Sequence, residues 1–294
     1  MSIKNVEIQD SSGNVYYPHT DASIVKFGSS DVGLALSQRV NISEVVTTPT
    51  ANKILKLNSS SKLPASITGD ADSVDGIQGT QIPLKTTGDI TYYVATTGLD
   101  TNDGLTSGTA FKTIGKAINM MPQVVNHVIT INIASGTYLE DIVVKGFIGN
   151  GGIVINGATT LVNASNYVIS SFLASNCACN VTVQGIGAYT KTYHGFTGGA
   201  CNNISFINCI CGAVTPTFSG FCGYNGGYLY IKGCSPNNRA SGIFASSGTT
   251  IVSENNVGSA NSVGLNAIGG TVAKTGTQPS GTTSELIGNG GVIR

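Results

Sequence analysis

From residue 128 onward, short runs in which apolar and polar positions alternate return at intervals of roughly 20 to 28 residues. The runs are ITINIAS (129–135), GIVINGA (152–158), NVTVQGI (180–186), NISFINC (203–209), YLYIKGC (228–234) and TIVSENN (250–256), with a frayed member GTVAKTG (270–276). Counted from Ile131, the next starts fall at Ile153, Val181, Ile204, Leu229 and Ile251, in steps of 22, 28, 23, 25 and 22. Alternation places Ile129, Ile131 and Ile133 on one face of a strand, and Val181 with Val183 on another. Gly and Asn interrupt every run, which rules against a helix. Self-similarity at this period predicts a solenoid, because a single turn cannot bury its apolar side and must stack on its neighbours. With adjacent strands about 4.8 Å apart, seven coils make a column roughly 30–35 Å tall. Cys209 and Cys234 follow their strands at equivalent places and are expected to stack one above the other.

The stretch TYYVATTGLDTNDGLTSGTAFKTIGKA (91–117) reads as a strand, a polar turn and a short amphipathic helix. The helix is predicted over about 109–121, with Phe111, Ile114, Ile118 and Met121 on one face, Thr109 as N-cap and Pro122 as the stop. Its expected task is to cover the first coil. Further upstream, Val6–Ile8 and Val15–Tyr17 flank a turn cluster and predict a β-hairpin. Asp31–Val40 has the makings of a short helix around Leu34 and Leu36, and Thr47–Pro83 is too polar to bury much by itself. The expected organisation is an attachment region over 1–46, a stalk or linker over 47–90, and an all-β parallel β-helix with its capping helix over 91–294.

The segment YYVATTGLDTNDGLTSGTAFKTIGKAINMMP (92–122) resembles the opening of the pectate-lyase-like right-handed β-helix of bacteriophage tailspikes and tail fibres. ANKILKLNSSSKLPASITGDADSVDG (51–76) and VEIQDSSGNVYYPHT (6–20) resemble segments of phage tail-fibre and baseplate-associated proteins. The resemblance implies a homotrimer in the virion tail, assembled in the host bacterial cytoplasm. Its N-terminal part would join a tail or baseplate protein, and its β-helix would face a host cell-surface polysaccharide.

Charge argues against nucleic acid as a partner. The formal net charge is zero and 10% of residues are charged, with no basic stripe to follow phosphates. Only Glu254 and Glu285 among the acids lie beyond Asp141. So long and weakly charged a β region needs stacking or subunit packing to avoid edge-to-edge aggregation, which favours a homo-oligomer. No apolar run reaches the 18 or more residues of a membrane span, and MSIKNVEIQD has no secretory-signal pattern. Seven cysteines, an odd number, argue against a disulfide framework.

Tailspikes of this architecture often cleave glycans, and glycoside hydrolysis needs two carboxyls roughly 5–10 Å apart. Glu140 and Asp141 are neighbours that point to opposite faces of an extended chain. Glu254 lies about 20 Å up the column from Glu140. Asp103, Glu140 and Asp141 are therefore only weak catalytic candidates, and binding is expected rather than cleavage. Lyase chemistry is not expected, since the coils offer no acid cluster for calcium and Arg239 is their one arginine before the terminus. Asp100–Gly104 reads as an Asx-type turn rather than a calcium loop, because position twelve is Phe111. Cys177-x-Cys179 and Cys209-x-Cys211 read as buried thiols rather than a zinc site. No metal or cofactor is expected. The loops GAYTKTYHGFTGG (187–199) and TPTFSGFCGYNGGYLY (215–230) are rich in rings set among Gly, Asn and Thr, which suits stacking on sugars. Tyr189, Tyr193, His194 and Tyr224 are the glycan-binding candidates, with packing between subunits an open alternative for the three tyrosines. Tyr228 and Tyr230 are expected to pack. An adhesin is the leading expectation, with a polysaccharide depolymerase and a non-binding tail spacer as alternatives.

Overall fold

The structure, a computed structural model, describes residues 8–16, 26–27, 30–31, 45–46, 54–55, 73–74, 77–78, 84–189, 193–212 and 217–294. The chain divides into two units, Met1–Ile82 and Pro83–Arg294. In the first, Ile8–Gln9 pairs antiparallel with Val15–Tyr16, the hairpin expected from the turn cluster. Asp10 shapes that turn: its carboxylate accepts from the Ser12 and Asn14 N–H groups at 2.9 and 3.0 Å. Asp31 belongs to a two-residue strand, Ser30–Asp31, paired with Lys26–Phe27. The rest of the helix expected over 31–40 lies outside the described residues, as does most of the stretch read as a stalk.

The second unit is a parallel β-solenoid of about seven turns, built as three sheets. The first has nine strands: Ile90–Val94, Val128–Ile133, Gly152–Asn156, Asn180–Gln184, Asn203–Ile207, Tyr228–Lys232, Thr250–Glu254, Thr271–Thr275 and Val292–Ile293. The second has seven: Asp141–Lys145, Ser171–Ser175, Phe196–Gly199, Phe221–Tyr224, Ser241–Ser246, Asn261–Ile268 and Gly281–Gly288. The third has five short strands between Gly136–Thr137 and Ser235–Asn237. The recurring runs are the first-sheet strands, and the frayed run at 270–276 is a full member. One register differs from the expectation: Ile153 pairs with Ile129, not Ile131, so that coil is 24 residues long. Alternation alone leaves a two-residue shift undecided, because both isoleucines face inward.

Inward positions stack into columns. Ile129, Ile153, Val181, Ile204, Leu229, Ile251 and Val272 form one and are fully or almost fully buried. Each contributes on the order of 1.5–3 kcal/mol by leaving water. In the second sheet Ile142, Phe172, Phe196, Phe221, Ile243 and Leu265 form the matching column. Phe196 stacks on Phe221 at 5.0 Å between ring centres, and Phe206 from the first sheet meets Phe172 edge-on at 5.8 Å. Bulk there is balanced by small residues in the adjacent column: Ala174, Gly198, Gly223, Ala245 and Ala267. A Cβ on Gly198 would lie 2.6 Å from Ile204 Cδ1.

The Gly and Asn residues that interrupt each run mark corners. The residue after a first-sheet strand has positive φ in five successive coils: Gly185, Asn208, Gly233, Asn255 and Gly276, between 51° and 66°. Other L-residues are disfavoured there by about 1–2 kcal/mol.

The helix is shorter than expected and begins later. It spans Ile114–Asn119, with Thr113 as N-cap accepting the Lys116 N–H at 3.2 Å. Thr109 ends a separate 3-10 turn, Ser107–Thr109, capped by Thr106. Between the two, Phe111 is extended and pairs with the first strand: its N–H donates to Tyr93 O and its carbonyl accepts from Ala95 N–H, both at 2.9 Å. That pairing prevents a helix from starting at Thr109. The four apolar residues assigned to the helix face are nonetheless buried.

Candidate functional site

The outward positions of the second sheet form the floor of a groove of about 360 Å³. Val143, Leu173 and Thr197 pair in register along three successive strands and supply that floor. Asp141 and Ser171, paired one residue earlier, stand at one side. Tyr193, His194 and Tyr224 complete the groove lining. Four of the seven residues singled out from the sequence thus converge, although they span positions 141 to 224.

Each wall residue is held by identifiable contacts. Ser171 Oγ–H donates to Asp141 Oδ1 at 2.6 Å. His194 Nδ1 accepts the Ser219 N–H at 3.0 Å, so the neutral ring carries its proton on Nε2. The ring meets Phe218 edge-on at 5.5 Å. Burial, with the Arg239 charge nearby, holds His194 below the ordinary imidazole pKa despite the Ser219 contact. The Tyr224 ring packs against Gly199, where an added Cβ would come within 2.5 Å of it. Burial raises its phenol pKa.

Behind the groove Arg239 is 1% exposed. Its guanidinium donates to the carbonyls of Gly212 at 2.9 Å, Tyr193 at 3.3 Å and Ala188 at 3.4 Å, and its Nε has no partner. One buried cation therefore ties the first aromatic loop, at Tyr193, to the coils at Ala188 and Gly212. Burial lowers its pKa, partly offset by the neighbouring Cys211.

The other candidates lie elsewhere. Tyr189 packs on the third sheet against Gly187 and Gly212, and its N–H bonds Ile169 O at 3.2 Å. Asp103 accepts from Leu105 N–H at 3.0 Å and Thr109 Oγ–H at 2.6 Å, the Asx-type turn expected. Glu140 accepts the Ile114 and Gly115 N–H groups at 3.0 and 2.9 Å, at the start of the helix. Glu140 and its neighbour Asp141 do serve different places, and among the described residues that line the groove there is one carboxylate. Glu254 pairs with Lys232 at 2.9 Å and takes the Tyr230 hydroxyl.

All seven cysteines are free and buried. Cys209 N–H donates to Cys234 Sγ at 3.3 Å, the stacking expected, and Cys177 N–H to Cys201 Sγ at the same distance. One coil on, Cys234 N–H donates to Asn256 Oδ1 at 2.7 Å, so thiol and amide do the same work in successive turns. Among the described residues no group of three or more His, Cys, Asp or Glu is arranged to hold a metal ion.

Ser171, Leu173, Thr197 and Arg239 were not legible as site residues. The second-sheet strands lack a recurring phrase, so their register, which sets Ser171 beside Asp141, has no marker in the sequence. No protein family, curated protein or solved structure matches the chain.

Proposed function

We propose that this protein is an adhesin of the phage tail-fibre or tailspike kind, which holds a cell-surface glycan in the groove over the second sheet. The observation that carries the reading is the meeting of Asp141, Tyr193, His194 and Tyr224 over one sheet. Aromatic rings, a carboxylate and an imidazole N–H are the groups that stack on sugar rings and bond their hydroxyls. The parallel solenoid and the N-terminal resemblance agree with that role.

In this reading the solenoid winds right-handed, the helix Ile114–Asn119 covers its first coil, and three copies stand side by side. Residues 1–46 attach to a tail or baseplate protein. Threefold presentation lets weak individual contacts suffice for adsorption. A trimer predicts sedimentation at three times the 30.0 kDa chain mass. The groove of one chain brings a single carboxylate, so binding is favoured over two-carboxyl hydrolysis.

The test is incubation of the full chain with purified host polysaccharide. Retention with chain length unchanged is expected, and Tyr193→Ala together with Tyr224→Ala should abolish it. Shortened chains would mean a depolymerase, and no retention would leave a spacer.

A further inference from the structure

The groove bears one formal charge among its described lining residues, and that charge is negative. His194 adds none: its Nδ1 is occupied by the Ser219 N–H, and protonating the ring would break that bond beside a buried guanidinium. Arg239 gives its two terminal NH groups to the carbonyls of Ala188, Tyr193 and Gly212 and does not line the groove. Nothing described in the groove is therefore available to neutralise an acidic ligand.

Asp141 is placed to act on whatever binds. It is exposed at the rim, and the Ser171 hydroxyl engages one of its two oxygens. A carboxylate so held is an acceptor with no proton to give, matched to the hydroxyls of a sugar. A carboxylate, sulfate or phosphate on the ligand meets it as a like charge, which at a partly exposed rim costs a factor of about ten in affinity.

We infer that the groove selects saccharides free of acidic groups and that Asp141 sets this selectivity. The inference rests on the glycan-binding reading above. It is tested with the full chain on an array of neutral hexoses, N-acetylhexosamines and uronate-containing or sulfated oligosaccharides. Wild type should retain neutral members and discriminate against acidic ones by about tenfold or more. Asp141→Asn keeps an oxygen for the Ser171 hydroxyl and should erase most of that ratio. Added salt should narrow the ratio in wild type and leave the variant unchanged. Equal retention of acidic and neutral glycans by wild type overturns the inference while leaving the binding groove in place, as does an unchanged ratio in Asp141→Asn. Retention of no saccharide at all overturns the binding reading itself, and this inference with it.

Discussion

Ala200 has φ of 51° at the corner after strand Phe196–Gly199, where the equivalent residues after the neighbouring strands are Asn176 and Asn225. Its methyl group gains nothing there, because the residue is exposed. Ala200→Asn should raise the guanidinium-unfolding free energy by roughly 0.5–1 kcal/mol, and Asn176→Ala should lower it by a similar amount. Arg239 works at the same scale with a longer reach. A methionine there fills the space but offers no donor to Tyr193 O or Gly212 O. A hydrogen bond from a charged donor contributes about 1.5–3 kcal/mol, so Arg239→Met should speed local opening of the first aromatic loop by about tenfold or more. Native-state trypsin cleavage after Lys191, timed by mass spectrometry, measures it. No change in that rate would mean Arg239 does not hold the loop.

At the level of elements, the strand–turn–helix segment is organised by three acids. Burial is the largest single influence on Asp100 and opposes its ionisation, but the Thr113 N–H and hydroxyl and the Lys112 N–H together outweigh it, and Lys116 adds to them. Thr109 and Leu105 do the same for Asp103. Both carboxyls titrate below the ordinary 3.8 in the folded chain, so below that value the unfolded chain binds more protons. Their stabilisation is complete above the unfolded pKa and is lost as pH falls through the folded one. Thermal midpoints should drop as pH falls from about 5 to below the ordinary aspartate value, and the drop should be shallower in Asp100→Asn with Asp103→Asn. Adjacent acids should also separate cleanly. Glu140→Ala removes the acceptor for two helix N–H groups and should cost about 1–2 kcal/mol. Asp141→Asn should change stability by less than about 0.5 kcal/mol, since that side chain is exposed at the groove rim and the amide keeps an acceptor for the Ser171 hydroxyl.

For the second unit as a whole, stability is a matter of neighbour-to-neighbour stacking. The cysteines between Cys177 and Cys234 lie in the middle turns, all of them buried, and burial pushes the thiols of Cys211 and Cys222 up to about 12. The phenylalanine stack from Phe172 to Phe221 couples the same turns. A thiol reagent should therefore leave the native protein unlabelled and modify all seven sites in one step at the denaturant midpoint. Labelling that advances through intermediates of two or three sites would show that the middle coils unfold independently.

The apolar alternation and the Gly/Asn corners were enough to establish a stacked parallel solenoid, because a period-2 strand and a left-handed corner each restrict which residues can stand there. The hairpin, the Asx-type turn at Asp103, the stacking of Cys209 on Cys234 and the separate directions of Glu140 and Asp141 follow from equally local rules. What only the tertiary structure decided is register and company. Whether Ile129 or Ile131 meets Ile153 depends on a loop, not on a pattern that both satisfy. Phe111 left the helix because the strand beside it offered backbone partners. Asp141, His194 and Tyr224 became one groove, with Tyr189 left outside it, because coils of unequal length still stack their second-sheet strands in step. Distance along the chain carries no information about that, since each coil returns to the same face after a loop of its own length.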